Sequence, residues 1–331
     1  MGQPAPFWAE KRVLVTGATG IVGCWLVKEL IDRGSEVTAL VLDAEPQSDL
    51  YRHDYVRSIH VVNGRLEDFS TLERAVLLHE CDTVFHLGAQ TIVTAAYRSP
   101  LATFESNIQG TWNLLEACRL HADIVKRVVV ASSDKAYGEQ ERLPYTEDMP
   151  LRGRFPYEVS KSCADLIAQS YFWSYGLSVA IARCGNIYGG GDLNWNRIVP
   201  GTIRSLYRGE SPVIRSDGQY VRDYVYVKDI VEAYLCLAEQ LDRPEVRGQS
   251  FNFSPESRVT VIEIVDSIRR LMNCGSIEPR ILNQAKGEIR SQYLSSAKAR
   301  EVLNWKSAYS LDEGLRHTIE WYRQFFAEAR P

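Results

Sequence analysis

The chain has 331 residues, of which 45% are hydrophobic and 10% aromatic, so it can bury a sizeable core and is not expected to be disordered. It carries 38 basic and 42 acidic residues without blocks of like charge, which argues against a nucleic-acid partner or a polybasic membrane patch. No apolar run reaches the length of a membrane span, and the first ten residues lack the pattern of a signal peptide.

The seven cysteines form no Cys-x-x-Cys pair, and most lie among apolar or small residues. This usage predicts neither a disulfide framework nor a zinc site, and we expect no metal in the functional site. It favours a reducing compartment, so we expect the protein to be cytoplasmic.

Short apolar segments alternate with segments of helical periodicity through the first half of the chain. In chain order the pattern predicts strand 11–16, helix 20–33, strands 36–42, 57–63 and 82–87, helix 101–121, strand 125–131, helix 157–175 and strand 177–182. Strands that are apolar on both faces and separated by helices indicate a parallel sheet covered on both sides. We therefore predict an α/β fold with a Rossmann-type doubly wound parallel sheet.

The pattern loosens after about Gly185, where elements shorten and Gly, Pro and Arg become more frequent. This change predicts a large domain over residues 1–185, with a return segment at about 222–255. Residues 186–331 are predicted to form a smaller α/β domain that interleaves with the first.

A glycine-rich segment, Gly17-Ala-Thr-Gly20-Ile-Val-Gly23, lies between the first predicted strand and the first predicted helix. Glycines let the backbone turn tightly and approach a pyrophosphate, and the helix N-terminus supplies N–H groups and positive dipole charge. Asp43 follows Gly23 by 20 residues, at the end of the second strand. A carboxylate there binds both ribose hydroxyls of NAD and repels the 2′-phosphate of NADP, so we predict NAD as the cofactor.

The spacing Gly-x-x-Gly-x-x-Gly, together with Phe85-His-Leu-Gly-Ala-Gln90, resembles the extended branch of the short-chain dehydrogenase/reductase family. The resemblance runs from about Lys11 to Tyr322. It implies that the cofactor is contacted by Gly17, Thr19, Gly20, Ile21, Gly23, Asp43, Leu66, Leu87, Ala89, Asn107, Tyr157 and Lys161. One departure is the pair Arg65-Leu66, where the family usually has an Asp that holds the adenine amine. Leu66 can still pack on adenine, and Arg65 leaves a little room for NADP.

Tyr157-Glu-Val-Ser-Lys161 is a Tyr-x-x-x-Lys on a predicted helix, a spacing that places both side chains on one face. A Lys ammonium beside a phenol favours the phenolate and lowers the pKa of the Tyr toward neutrality. Such a group acts as a base for a sugar hydroxyl while hydride leaves the attached carbon. The resemblance adds Ser133, which hydrogen-bonds the reacting oxygen.

Asp134 and Lys135 follow Ser133 at the carboxyl end of the fifth strand, the edge that faces the ligand crevice in such sheets. Family members with Asp-Glu here are dTDP-glucose 4,6-dehydratases, and Asp-Lys resembles the CDP-glucose 4,6-dehydratases. The resemblance implies that, after oxidation at C4, Lys135 removes the C5 proton and Asp134 protonates the departing C6 hydroxyl. An NDP-sugar 4-epimerase is the alternative, since it needs only Ser133, Tyr157 and Lys161. A non-catalytic dinucleotide-sensing protein is a third hypothesis, which the intact Tyr-Lys pair disfavours.

The predicted smaller domain carries the residues expected to hold the nucleotide-sugar substrate. Guanidinium groups suit phosphate oxygens, and the resemblance implies substrate contacts from Asn186, Arg197, Arg222, Arg290 and Tyr293. No motif identifies the nucleotide base.

The resemblance also implies a homodimer, because extended family members commonly pair through two helices from each subunit. The matching segments here are 101–121 and 157–175. Both carry apolar residues beyond a single sheet-facing stripe, namely Trp112, Leu115, Leu120, Ile167, Tyr171 and Phe172.

Overall fold

The computed structural model describes residues 6–284 and 289–328. A central sheet of seven parallel strands has the order β3-β2-β1-β4-β5-β6-β11. Its strands are β1 (Arg12–Thr16), β2 (Glu36–Val41), β3 (His60–Asn63), β4 (Thr83–His86), β5 (Arg127–Ser133), β6 (Val179–Cys184) and β11 (Ser250–Phe253). The strand order reverses between β1 and β4, which confirms the predicted Rossmann-type topology and places a crevice at the carboxyl ends of these strands.

Helices cover both faces of this sheet. Before β6 they are α1 (Ile21–Asp32), α2 (Asp49–Arg52), α3 (Phe69–Leu78), α4 (Val93–Arg98), α5 (Pro100–Phe104), α6 (Gly110–Leu120) and α7 (Pro156–Tyr175). Alternate side chains of β1 enter two separate cores: Val13 and Val15 face the α1 side, and Leu14 faces the side of α3, α6 and α7. The strand is therefore apolar at successive positions because both of its faces are buried.

After β6 the chain forms further strands and helices, of which some surround a third apolar core and others complete the core on the α1 side. They are β7 (Asn186–Tyr188), α8 (Ile198–Tyr207), β8 (Val213–Ile214), β9 (Val221–Arg222), β10 (Tyr224–Tyr226), α9 (Val227–Glu239), β12 (Val259–Thr260), α10 (Val261–Leu271), β13 (Arg280–Ile281), β14 (Ser291–Gln292), α11 (Ala297–Leu303) and α12 (Leu311–Glu328). Within this part of the chain, β11 returns to the large sheet beside β6. The domain boundaries given above stay a prediction.

The predicted helix 101–121 is interrupted by a π-helical turn. Residues Glu105–Gln109 form this turn between α5 and α6, and the three pieces are continuous. Asn107 lies in the turn and is buried. Such turns insert one residue into an α-helix and are frequent at functional sites.

The structure corrects one residue of the predicted dimer surface and leaves the pairing itself a prediction. Leu115 belongs to the core beneath α6, and Ile167, Tyr171 and Phe172 pack partly buried against the same core. Their period places them on the stripe that faces the sheet and the neighbouring helix. The large hydrophobic side chains that remain exposed on these helices are Leu101, Trp112, Leu120, Leu166, Trp173 and Tyr175.

Among the described residues, the helices lack the combination of length and apolarity that crossing a membrane requires. The seven cysteines are free thiols.

Candidate active site

The glycine loop between β1 and α1 is shaped by close backbone contacts. Gly17 has φ of +74°, and a Cβ placed on it would lie 2.8 Å from the backbone nitrogen of Gly88. A Cβ on Gly23 would lie 2.1 Å from the carbonyl oxygen of Gly17. Gly20 is the N-cap of α1 and offers no side chain to the first N–H groups of the helix. These N–H groups and the helix dipole suit a pyrophosphate, so the loop fits NAD.

The residues expected around the adenosine end occupy two different environments. Asp43 is exposed just beyond the end of β2, where its carboxylate is accessible. Leu66 is buried and packs against Gly88 and Gly110, the latter in the first turn of α6. The Arg65 side chain is 68% exposed, with its Nε 3.8 Å from a carboxylate oxygen of Glu67. Arg65 therefore projects to solvent, and nothing in this arrangement opposes NAD.

The Asn107 side chain is held by three hydrogen bonds. Its Oδ1 accepts the N–H of Gln90 at 2.6 Å, and its Nδ2 donates to the Gln90 carbonyl at 3.0 Å and to Ser160 Oγ at 2.9 Å. The amide thus joins α7 to the loop that follows β4, in which Leu87 and Ala89 are half-buried. These bonds engage both ends of the Asn107 amide, and its predicted contact with the cofactor stays a prediction.

Tyr157 and Lys161 lie on α7, one turn apart and above the end of β5. Lys161 is buried, and its Nζ donates to the carbonyl of Ala131 at 2.9 Å. The Tyr157 hydroxyl hydrogen-bonds Ser133, the last residue of β5. The structure therefore brings the predicted Ser, Tyr and Lys together.

The expected lowering of the Tyr157 pKa is wrong for the protein alone. Burial raises the pKa of Tyr157 to about 12, and the leading opposing influence is the guanidinium of Arg197. Burial also lowers the pKa of Lys161 to about 8, because the ammonium is taken out of water. The protein alone thus keeps the phenol protonated.

Asp134 and Lys135 form an ion pair in the 3₁₀ turn that directly follows β5. Lys135 Nζ lies 2.9 Å and 3.1 Å from the two carboxylate oxygens of Asp134. Ser133 Oγ donates to Asp134 Oδ1 at 3.0 Å and accepts the N–H of Lys135 at 3.2 Å. Asp134 is only 2% exposed, whereas the Lys135 side chain is 21% exposed. The turn therefore holds an acid and a base in contact with each other and with the Ser that reaches Tyr157.

Two residues of this site were not predicted from the sequence. Gln292 donates from Nε2 to the backbone carbonyl of Asp134 at 2.9 Å. Asp223 is fully buried, and its Oδ2 accepts the N–H of Leu294 at 2.9 Å. Burial and the nearby Asp134 carboxylate raise the pKa of Asp223 to about 7. The position of Asp223 directly after Arg222 was the available signal, and Gln292 had none.

Asn186 begins β7 and Arg197 is the N-cap of α8, and their predicted contacts with substrate stay a prediction. The Nδ2 of Asn186 is buried and has no hydrogen-bond partner among the described residues, which suits a donor reserved for a ligand. Arg197 donates to Asp192 Oδ2 at 3.0 Å and to Thr91 Oγ1 at 3.3 Å. It thus connects the N-terminus of α8 with the loop after β4.

Three other predicted substrate residues have different surroundings. Arg222 donates to the backbone carbonyls of Val221, Ile289 and Arg290, at 2.8, 2.6 and 3.2 Å, and so joins β9 to the two residues that precede β14. The Arg290 side chain is largely exposed, with Asp217 3.9 Å away. Tyr293 lies beneath the guanidinium of Arg258, 4.6 Å from the ring centroid. The role of these residues toward a diphosphate stays a prediction.

Comparison with known proteins agrees with this geometry. Residues 13–252 match the NAD dependent epimerase/dehydratase family. The chain belongs to this family. It is an NAD-dependent enzyme, as the glycine loop and the Tyr-Lys pair predicted.

Members of the family with high similarity include both dehydratases and epimerases. The chain is 31% identical to CDP-glucose 4,6-dehydratase of Salmonella typhimurium, over 96% of this chain and 92% of the relative. UDP-glucose 4-epimerase of Thermotoga maritima has a similar structure, with a TM-score of 0.86 and 30% identity over 95% of this chain and 99% of the other. The dTDP-glucose 4,6-dehydratase of Streptomyces venezuelae, solved with NAD bound, gives a TM-score of 0.84 and 27% identity over 95% and 97%.

Proposed function

We propose that the protein is an NDP-hexose 4,6-dehydratase of the CDP-glucose type, which produces a 4-keto-6-deoxy sugar nucleotide. The observation that carries this proposal is the Asp134–Lys135 pair, held in contact at the end of β5 beside Tyr157. A 4-epimerase needs no acid–base pair at C5 and C6. A dehydratase does, because water must leave across that bond.

The first step belongs to Ser133, Tyr157 and Lys161. Bound NAD would supply the acceptor for the C4 hydrogen, the donor that later returns this hydrogen to C6, and a positive charge that favours an ionised phenol nearby. Ser133 hydrogen-bonds O4 and Tyr157 removes its proton. Lys161, fixed by the Ala131 carbonyl, provides the second cation on the same face of α7. Because the protein alone holds the Tyr157 pKa at about 12, this base is formed only with cofactor in place.

The second step belongs to Asp134 and Lys135. The C4 ketone acidifies the proton on C5, which lies next to the carbonyl carbon. Lys135, as a neutral amine, takes this proton, and Asp134, as a carboxylic acid, gives its proton to the C6 hydroxyl, which departs as water. The bond at 2.9 Å between their side chains makes proton transfer within the pair direct. C5 is reprotonated after C6 has received its hydrogen.

Substrate binding is proposed to use Asn186 and Arg197 at the cleft, with Arg222, Arg290 and Tyr293 toward the diphosphate. The buried, unpartnered amide of Asn186 supports this assignment within the described residues. The nucleotide base stays open.

Product mass tests the function directly. Incubation with NAD and CDP-, UDP-, dTDP- or GDP-glucose should yield a product lighter by one water from one of them. A 4-epimerase, the alternative supported by the similarity to the Thermotoga maritima enzyme, would give an isomer of unchanged mass. An isomer alone from every nucleotide sugar would refute the dehydratase.

We also propose a cytoplasmic homodimer. The exposed apolar side chains Leu101, Trp112, Leu120, Leu166 and Trp173 on the helices from α5 to α7 support the pairing surface, and Trp173 is 73% exposed. The free thiols support a reducing compartment. A monomeric mass by sedimentation at micromolar protein would contradict the dimer.

A further inference from the structure

Gln292 is a fully buried glutamine in β14, and its side-chain amide reaches the turn that follows β5. Its Nε2 donates to the backbone carbonyl of Asp134 at 2.9 Å, although the two residues are 158 positions apart. Its Oε1 is buried and has no hydrogen-bond partner among the described residues. Burying an amide with its oxygen unsatisfied costs stability, so packing alone does not explain this residue.

The carbonyl that Gln292 holds belongs to the peptide group between Asp134 and Lys135. At the other end of this group, the N–H of Lys135 donates to Ser133 Oγ at 3.2 Å. A peptide group is planar, so a bond at its oxygen and another at its nitrogen together fix the direction of the plane. The plane in turn sets where the backbone presents the side chains on either side of it. Those side chains are the proposed acid and the proposed base.

The strand that carries Gln292 is joined to the residues proposed to face the diphosphate. β14 pairs in parallel with β9, and Gln292 lies opposite Arg222. The carbonyl of Arg290, directly before β14, accepts the N–H of Val221 at 2.9 Å and a guanidinium N–H of Arg222 at 3.2 Å. Gln292 therefore connects this strand pair with the turn that holds the acid–base pair.

We propose that Gln292 is a positioning residue for the elimination of water, because its amide N–H orients the peptide group shared by Asp134 and Lys135. It exchanges no proton with the substrate and acts through the backbone of the turn. Its hydrogen bond goes to this peptide group and not to Tyr157 or Lys161, so oxidation at C4 should proceed without it. This inference rests on the proposed dehydratase function.

Gln292→Met tests the inference, since Met keeps the length of the side chain and removes its donor. The assay uses NAD and the NDP-hexose that loses water in the mass assay. Water loss and exchange of the C5 hydrogen with solvent deuterium should slow by on the order of 100-fold, because the reacting groups are misplaced. In a single turnover, the rate of C4 oxidation should change by less than about twofold, and reduced nicotinamide should accumulate. A residue with a purely structural role would slow both steps together.

Gln240→Met is the matched control. Gln240 lies at the end of α9, and its Nε2 also donates to a distant backbone carbonyl, that of Leu303 at 3.0 Å. Losing this bond removes a similar contact elsewhere in the fold. The ratio of the rate of C5 exchange to the rate of C4 oxidation should therefore keep its wild-type value in Gln240→Met.

Gln292→Glu is a second test that keeps the shape of the side chain, and it serves even where Met is not tolerated. Only the protonated carboxyl group can donate to the Asp134 carbonyl, and burial favours this neutral form. Arg222, opposite on β9, directs its guanidinium to backbone carbonyls. The rate of elimination relative to wild type at the same pH should thus rise as the pH is lowered. Gln292→Met cannot titrate and should show the same deficit at every pH.

The inference is overturned if Gln292→Met removes water at near the wild-type rate, or if it slows C4 oxidation as much as elimination. It is also overturned if the deficit of Gln292→Glu does not shrink at lower pH. In each of these cases the wild type still removes water, so the proposed function stands. Failure of the wild type to remove water from any NDP-hexose refutes the proposed function and this inference together.

Discussion

The loop Gly17–Gly23 and the turn at Ser133–Lys135 serve the same cleft, but they place opposite demands on the fold. The loop has its shape because its glycines have no side chains. The close backbone contacts that create the pyrophosphate site also pack β1 against α1. The turn depends on charged side chains, with Asp134 and Asp223 buried and with Lys161 taken out of water nearby. In the loop, the same close packing therefore serves both cofactor binding and stability. Around the turn, the buried charges that the chemistry needs lower the stability of the fold.

The largest expected effect falls on the turn. Lys135→Ala should slow C5 exchange and water loss by about 1000-fold, because the base is removed. C4 oxidation relies on other residues, so reduced nicotinamide should accumulate and be visible by absorbance. Lys135→Arg is the sharper comparison, since Arg keeps a cation beside Asp134 but cannot deprotonate. Dehydration by either variant at near wild-type rate would show that Lys135 is not the base.

A substitution in the loop should damage binding and folding together. Gly23→Ala places a Cβ 2.1 Å from the Gly17 carbonyl oxygen, and the backbone must move. We expect NAD binding to be lost by calorimetry and the free energy of unfolding to fall by about 3 kcal/mol in denaturant titration. Gly275→Ala is the control, because a Cβ there has no heavy atom within 4 Å among the described residues. If Gly23→Ala retains the NAD affinity of the wild type, the close packing of the loop is not needed for cofactor binding.

Removing the buried ammonium should separate stability from function. Lys161→Met should abolish C4 oxidation yet raise the free energy of unfolding at pH 7 by about 2 kcal/mol, because the pKa of Lys161 is lowered from 10.5 to about 8 in the folded protein. Between these two values the unfolded wild type binds more protons than the folded one, so its stability rises with pH. The Met variant does not titrate, and its advantage should therefore shrink by pH 10. Lys306→Met, at an exposed position, should show no pH-dependent difference.

The smallest expected effect concerns cofactor choice. Asp43 is exposed and its carboxylate is available to the ribose, so Asp43→Asn should improve NADP affinity relative to NAD by about tenfold. Glu45→Gln removes a neighbouring charge and should leave the ratio unchanged. The measurement is the dissociation constant of each cofactor by calorimetry. Tighter binding of NADP than NAD by the wild type would contradict the role of Asp43 and implicate Arg65.

The same contrast explains which parts of the site could be predicted from the sequence. The glycine loop and the Tyr157–Lys161 pair depend on residues a few positions apart, so their spacing carries the information. The contact between Gln292 and Asp134 joins positions 158 residues apart, and no local pattern encodes it. The raised pKa of Tyr157 likewise depends on how deeply the folded chain buries the phenol, which periodicity does not measure.

Arg222 illustrates a different limit. Its residue type and its place in a family-like segment suggested a phosphate ligand, yet three backbone carbonyls receive its donors. A guanidinium is equally suited to a phosphate and to a group of carbonyls, so the sequence cannot distinguish a ligand contact from a structural one.

The π-helical turn at Glu105–Gln109 has a consequence for how this fold tolerates changes of length. The extra residue lets Asn107 turn toward Gln90 and Ser160 while Leu114, further along, still enters the core. Deleting one residue here would restore a regular α-helix and rotate one of these side chains by about 100° relative to the other. A relative with an unbroken helix would therefore be one residue shorter at this point and would need another way to tie its β4 loop to α7. In this chain, a single inserted residue lets the side chain that holds the β4 loop and the side chain that enters the core each keep its own direction.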